Sequence, residues 1–182
     1  MIIKNKNLLG ESPVWNNNNN KFYWVDILDK KIKSFDDNSI EIFNLDKMPT
    51  CLSVIDSSKL LTVVEDGIGI YDFRNNSYNY MLKIDASKVR FNDGKCDREG
   101  RIWAGRSHDP ETKATGRLFR IDPDLSCTAW DGPYICPNGP AISDDDRKLY
   151  HVDSFGGTIW SFDKYANGTI KNRSEFIKLN TE

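Results

Sequence analysis

The polar side chains best suited to chemistry stand singly, each just before a short apolar segment. They are Glu11, Thr50, Arg90 with Asn92, and Asn138. Carboxylate and amide oxygens are the ligands that a hard cation such as Ca²⁺ or Mg²⁺ selects. A guanidinium such as that of Arg90 can hold an anionic or a polyhydroxy ligand through a bidentate fork. These residue types favour a cation site beside a site for a polar small molecule.

Taken one at a time, these residues have a simpler interpretation. Glu11 could be a solvated turn residue, and Arg90 could be an ordinary surface charge. Asn138-Gly139 is a common turn dipeptide, and Asn92-Asp93-Gly94 also fits a turn. The functional interpretation therefore depends on whether these residues occupy equivalent places in a repeat.

No compact catalytic motif is present. The chain has no G-x-S-x-G, H-E-x-x-H or phosphate-loop pattern. Its two histidines, His108 and His151, leave little for a histidine-based triad. The four cysteines form no C-x-x-C pair, which argues against a zinc site.

The chain is built from four similar segments of short strands. Each segment has an apolar stretch, a polar turn, an aromatic-rich strand and a second strand that ends in Asp. Equivalent apolar positions fall at Val25, Val64, Ala104 and Val152, at steps of 39, 40 and 48 residues. The strand-final aspartates, at steps of 36, 50 and 41 residues, are Asp36, Asp72, Asp122 and Asp163.

A period near 40 to 45 residues built from short strands is typical of a β-propeller blade. The sequence therefore predicts an all-β fold, a β-propeller, over residues 1–182 as a single region. The segments that enter successive blades converge in such a fold. Single residues from several blades can then assemble one site, although they lie far apart in the sequence.

Charge and hydropathy exclude several classes of partner. Lys plus Arg is 25 and Asp plus Glu is 27, and no basic patch is present, so we expect no nucleic-acid binding. No run of about 18 apolar residues predicts a membrane span. The segment Met1–Gly10 contains no apolar stretch of the kind found in a signal peptide, so we expect a cytoplasmic protein.

Together, these motifs resemble the SMP-30/gluconolactonase/luciferin-regenerating-enzyme (regucalcin-like) family. The resemblance covers the chain from Leu9 to about Lys178. The patterns G-E-S/G-P-x-W and R-x-N-D-G-K-x-D are fairly specific when they occur together. The segments that carry the resemblance are Leu9–Trp15, Arg90–Asp97, Gly100–Gly105, Asn138–Ser143 and Leu149–Ser154.

The resemblance implies a six-bladed propeller with one divalent cation, which could be Ca²⁺, Zn²⁺, Mn²⁺ or Mg²⁺. Glu11 and Asn138 match two of the family's metal ligands. Arg90 and Asn92 match its substrate-contacting residues, and Glu111 is a further substrate-side candidate in a loop of different length.

The third ligand of the family is an Asp that also acts as the general base, and it would lie beyond Glu182. We therefore expect about four of six blades here, no catalytic Asp within the chain, and a chain that is C-terminally truncated relative to the family. The expected state is a monomer, or a ring completed by another chain.

The resemblance implies metal-dependent hydrolysis of a sugar lactone, with activity of this short chain in doubt. Two alternatives stay open at this point. One is a calcium-binding regulatory protein of the regucalcin-like kind, which would bind a cation without lactone turnover. The other is a non-catalytic propeller fragment that serves as an interaction scaffold, which would tolerate the loss of Glu11 and Asn138.

Overall fold

The computed structural model describes residues 5–85 and 88–179. In these ranges the chain forms sixteen β-strands. No helix there is long and apolar enough to cross a membrane. The strands are β1 (Gly10–Asn16), β2 (Lys21–Asp26), β3 (Lys31–Phe35), β4 (Ile40–Asn44), β5 (Pro49–Val54), β6 (Lys59–Val64), β7 (Gly67–Asp72), β8 (Ser77–Lys83), β9 (Val89–Cys96), β10 (Ile102–His108), β11 (Gly116–Ile121), β12 (Cys127–Tyr134), β13 (Pro137–Ile142), β14 (Lys148–Asp153), β15 (Thr158–Lys164) and β16 (Ile170–Lys178).

The strands form four antiparallel sheets, and each sheet contains four strands in chain order. This up-and-down order is the layout of a propeller blade. Each predicted repeat corresponds to one sheet. The four equivalent apolar positions all fall on the second strand of a sheet, and each strand-final Asp lies within one residue of the end of a third strand. The prediction of an all-β fold with about four blades is therefore confirmed.

The chain divides into two compact units, Met1–Ile84 and Asp85–Glu182. In the first unit, the core lies between the sheet of β1–β4 and the sheet of β5–β8. Tyr23, Val25 and Ile32 from the first sheet pack with Leu60 and Tyr71 from the second, and all five are almost fully buried. Alternation along each strand sends these side chains to one face, and burial of that face holds the two sheets together.

In the second unit, the core lies between the sheet of β9–β12 and the sheet of β13–β16. Trp103 and Leu118 on one side meet Leu149 and Phe162 on the other. Trp103 has no exposed surface, and its indole Nε1 donates a hydrogen bond to Asp97 Oδ2 at 3.1 Å. Its polar atom is therefore satisfied within the core, as a buried indole requires.

A buried lysine joins the turns at one end of these two sheets. The Lys164 side chain has no exposed surface, and its Nζ lies 2.6 Å from Asp146 Oδ2 and 3.4 Å from Asp97 Oδ2. Asp97 also accepts a hydrogen bond from Arg101 Nε at 2.8 Å. Since a buried charge is tolerated only when it is paired, the cluster stabilises the fold only while every member is present.

Replacing Lys164 should show how much more the loss of a buried ion-pair partner costs in free energy of unfolding than the loss of an exposed one. Lys164→Met leaves Asp146 without its ammonium partner, so we expect a loss of about 3 kcal/mol in the free energy of unfolding, measured by urea denaturation. The matched control is Lys148→Met, since Lys148 also lies 2.6 Å from an aspartate but is half exposed. The control should lose much less, and equal losses would contradict the account.

His151 is an ordinary buried side chain, as its position on a strand suggests. It has no exposed surface and stacks on Tyr134, with ring centroids 4.7 Å apart. Neither of its ring nitrogens has a hydrogen-bond partner among the described residues. Burial therefore disfavours the imidazolium and lowers the pKa of His151 to about 3.

The burial of His151 predicts that the free energy of unfolding depends on pH in the acidic range. The pKa of His151 is lowered from 6.5 to about 3 on folding, so the unfolded chain binds the proton more tightly. The contribution of neutral His151 to the free energy of unfolding is fully present above pH 6.5. It is lost as the pH falls toward 3, by about 1.4 kcal/mol per pH unit. His151→Phe should flatten this part of the curve of unfolding free energy against pH. An unchanged slope between pH 6 and 4 would contradict the prediction.

Candidate functional site

Glu11 and Asn138 occupy the same place in their respective sheets. Glu11 on β1 pairs with Val25, and Asn138 on β13 pairs with Val152. A β-bulge follows each residue, because three residues of the first strand then span two of the second. The predicted equivalence of these two candidates is therefore present in the strand register.

The bulges share a backbone conformation as well. The residue after each candidate is in the left-handed region, with a φ of 50° at Ser12 and 77° at Gly139. Both are fixed from the neighbouring sheet of the same unit. Ser12 Oγ accepts a hydrogen bond from Leu52 N at 2.9 Å, and Gly139 N donates to Asp93 Oδ2 at 2.9 Å. These contacts thus fix the bulge that follows each candidate residue.

A carboxylate at the end of the second strand anchors the chain that enters each of these first strands. Asp26 ends β2 and Asp153 ends β14. Each accepts backbone hydrogen bonds from the residues two and three places before the candidate ligand of its sheet. The N···O distances are 3.0 Å from Leu8, 3.0 Å from Leu9, 3.1 Å from Ile135 and 3.0 Å from Cys136.

The Asp26 anchor is strengthened by an ion pair. Its Oδ2 lies 2.9 Å from Lys33 Nζ, and both side chains are almost fully buried. Although burial opposes ionisation, the hydrogen bond from Leu9 and the pairing with Lys33 outweigh it and lower the pKa of Asp26. The carboxylate therefore remains an acceptor at neutral pH.

The two candidate ligands present oxygens that a cation could use. Glu11 is exposed, and no hydrogen bond or ion pair to another described residue engages its carboxylate. Asn138 donates from Nδ2 to Ser154 Oγ at 3.0 Å, which directs the amide nitrogen to Ser154 and leaves the carbonyl oxygen available as a donor atom for a cation. A carboxylate and an amide oxygen fit a hard divalent cation.

Among the described residues, no group of three or more His, Cys, Asp and Glu is arranged to hold a metal. The predicted pair, one carboxylate and one amide, does not form such a group. Glu11 belongs to the first unit, and Asn138 belongs to the second.

The three predicted substrate residues lie together in the second unit. Arg90 Nη1 donates to Asn92 Oδ1 at 2.9 Å, and Arg90 Nη2 donates to Glu111 Oε1 at 3.2 Å. Asn92 in turn donates from Nδ2 to the carbonyl of Pro137 at 3.0 Å. This network, which we call the Arg90 cluster, connects β9 and the loop after β10 to the residue immediately before Asn138.

Two members of this site lie outside the predicted set. Ser107 Oγ donates to Glu111 Oε1 at 3.1 Å. The buried Cys136 thiol lies 3.9 Å from Asn92 Nδ2. Burial and the charge of Glu111 raise the pKa of Cys136 to about 12, so the thiol stays protonated. In the sequence, the feature that could have pointed to Cys136 is its position two residues before Asn138.

Thr50 and Asn92 are not in strict register with Glu11. Val64, the counterpart of Val25, pairs with Pro49, so Thr50 lies one residue beyond the equivalent place, within a bulge. Thr50 is fully buried, and its hydroxyl donates to Val63 O at 3.4 Å, which is a structural role. Asn92 lies in the bulge of β9, between the paired Phe91 and Asp93.

The sheets define a β-propeller, and in the second unit a possible cation ligand, Asn138, follows a residue contacted by the Arg90 cluster. Residues 9–182 match the sequence model of the SMP-30/Gluconolactonase/LRE-like region. The chain belongs to this family.

Similar proteins agree with this assignment. The chain is 29% identical to a 6-deoxy-6-sulfogluconolactonase of Pseudomonas putida, over 88% of the chain and 57% of that protein. It is 28% identical to regucalcin of Danio rerio, over 98% of the chain and 62% of the relative. A solved luciferin-regenerating enzyme superposes with a TM-score of 0.88 at 22% identity, over 95% of the chain and 62% of that structure. The chain thus spans less than two thirds of the length of these relatives.

The aspartate anchor can be tested in the second unit. Asp153→Ala leaves the buried N–H group of Cys136 and the partly buried N–H group of Ile135 without an acceptor, so we expect a loss of about 2–3 kcal/mol in unfolding free energy. The side-chain amide signals of Asn138 should also shift in NMR spectra.

Asp145→Ala is the matched control, because Asp145 accepts a backbone N–H from Arg147 at 3.1 Å in an exposed turn. The control should lose much less stability and leave the Asn138 signals in place. If both variants behaved alike, the anchor would have no special role.

Proposed function

We propose that this chain carries cation-binding and sugar-binding residues of a divalent-metal-dependent hydrolase of sugar lactones. The observation that carries the proposal is the Arg90 cluster, which places a guanidinium, an amide and a carboxylate beside the segment that leads into Asn138. Lactonase names among the relatives, including a pentonolactonase of Haloferax volcanii, support the same chemistry.

Glu11 and Asn138, each in its own unit, are the proposed cation ligands that the family resemblance implies, and Ca²⁺, Zn²⁺, Mn²⁺ and Mg²⁺ are candidate cations. The carboxylate of Glu11, which no other described residue engages, and the oriented amide of Asn138 support this assignment. When bound, a divalent cation polarises a lactone carbonyl and stabilises the developing oxyanion.

The Arg90 cluster would bind and orient the sugar. Arg90 donates N–H groups to ring and hydroxyl oxygens, whereas Glu111 accepts from hydroxyl groups. Asn92 can do both through its amide, and its bond to the Pro137 carbonyl fixes its orientation. A lactone held by several such contacts keeps its carbonyl in one place, which lowers the entropic cost of reaction. The family resemblance assigns activation of the attacking water to an Asp of a later blade.

Substitution of the proposed cation ligands tests this function. Glu11→Gln keeps the size of the side chain but removes its charge, so we expect cation affinity to fall by about 100-fold or more by calorimetry. Hydrolysis of glucono-δ-lactone should fall with it. Glu175→Gln, at an exposed strand position, is the control and should change neither quantity.

Three outcomes separate the alternatives. Lactone turnover that requires both Glu11 and the cation supports the lactonase. Cation binding that depends on Glu11, with no turnover, favours the calcium-binding role that the name regucalcin suggests. Insensitivity of both quantities to Glu11→Gln and Asn138→Ala contradicts the proposal and favours an interaction scaffold.

A further inference from the structure

The sheet of β13–β16 presents an apolar face to solvent. Its other face packs on the sheet of β9–β12 through Leu149 and Phe162. Because side chains alternate along a strand, Tyr150 beside Leu149 points the opposite way. There it contacts the ring of Phe176, which is 57% exposed, with ring centroids 5.0 Å apart. We call this surface, a groove of about 420 Å³, the Tyr150 face, and its residues are Pro140, Ala141, Tyr150, Val152, Ile159 and Phe176.

The strand register shows that the Tyr150 face is built like a buried one. Its cross-strand pairs repeat those of the first sheet. The equivalent pairs are Val14–Tyr23 and Ala141–Tyr150, then Val25–Ile32 and Val152–Ile159. Tyr23, Val25 and Ile32 are at most 2% exposed, because they pack against the sheet of β5–β8. The Tyr150 face therefore repeats a sheet-packing face, but its residues remain partly exposed.

The outer face of the sheet of β1–β4 is the counterpart of the Tyr150 face. Val14 packs into the core of its unit, so Trp15 beside it points away, and Trp15 is 50% exposed. Trp15 pairs with Phe22, and Phe22 pairs with Phe35. We call these three residues the Trp15 face. Their equivalents in the sheet of β13–β16, which pack against the sheet of β9–β12, are Ile142, Leu149 and Phe162.

The lysines beside these two faces are paired. Lys33 lies on the same side of its sheet as the Trp15 face, and its Nζ is 2.9 Å from Asp26 Oδ2. At the edge of the Tyr150 face, Lys148 Nζ is 2.6 Å from Asp163 Oδ1. Covering the faces would therefore leave neither ammonium group without a partner. An exposed apolar patch of this kind is typical of an interface between proteins.

We propose that a second copy of this chain covers the Tyr150 face with its own Trp15 face. The two faces are the two sides of one kind of contact, since an equivalent of the Tyr150 face is buried in the first unit and an equivalent of the Trp15 face is buried in the second. The association continues, between copies, the sheet-on-sheet packing that holds each unit together. It is head-to-tail, because each copy contributes a different face. This inference is independent of the proposed function.

Sedimentation velocity of the full chain over a wide range of concentrations tests the association. We expect the average mass to rise at least about twofold with concentration. Trp15→Glu or Phe176→Glu places a carboxylate in one of the faces, so each variant alone should associate at least about 100-fold more weakly. Leu28→Glu is the matched control, because Leu28 lies in the turn after β2 and is, like Phe176, 57% exposed. The control should associate as the unaltered chain does.

An equimolar mixture of the two face variants tests the direction of packing. Trp15→Glu keeps its Tyr150 face, and Phe176→Glu keeps its Trp15 face. The mixture should therefore form a complex with one copy of each variant, and this complex should grow no further.

Several outcomes would overturn the inference. The first is a chain that stays monomeric at every concentration, a measurement that needs no variant. The second is association that survives Trp15→Glu but not Phe176→Glu, which would mean that two Tyr150 faces meet. The third is a mixture that does not restore the complex, or an equal loss in Leu28→Glu. Amide spectra establish that each variant is folded.

Discussion

The candidate site depends on one repeated interaction, in which a carboxylate at the end of a second strand holds the chain that enters the first. Asp26 and Asp153 each accept two successive backbone N–H groups at 3.0 to 3.1 Å. Since these N–H groups lie away from the strand ladder, another partner must satisfy them when they are buried. The carboxylate does so and fixes where the next residues, Glu11 or Asn138, begin their strand.

In the second unit this anchor extends into the Arg90 cluster. Asp153 holds the backbone of Cys136, whose thiol lies 3.9 Å from Asn92 Nδ2, and Asn92 accepts a hydrogen bond from Arg90. The start of β13, which carries Asn138, and the Arg90 cluster are thus linked through a short set of contacts. Such mutual support keeps polar groups in one arrangement, because a partly satisfied buried network would be costly.

Much of this arrangement could be predicted from the sequence, because the repeat is visible in apolar spacing. Val25 and Val152 mark the second strands, and their pairing makes Glu11 and Asn138 equivalent. The register of Thr50 could not be predicted, since a bulge shifts pairing by one residue without a reliable local signal. Contacts that involve a loop, such as those of Arg90 and Ser107 with Glu111, depend on loop conformation, which spacing does not encode.

The most direct test of the proposed cation ligands is a titration of the chain with Mn²⁺, followed through the side-chain amide signals of its asparagines. Paramagnetic broadening decays steeply with distance from the ion, so it reports location as well as affinity. The account predicts that the Asn138 amide broadens first and that Glu11→Gln abolishes this effect. Broadening that begins elsewhere, for example near the acidic turn Asp144–Asp146, and that ignores Glu11→Gln would contradict it.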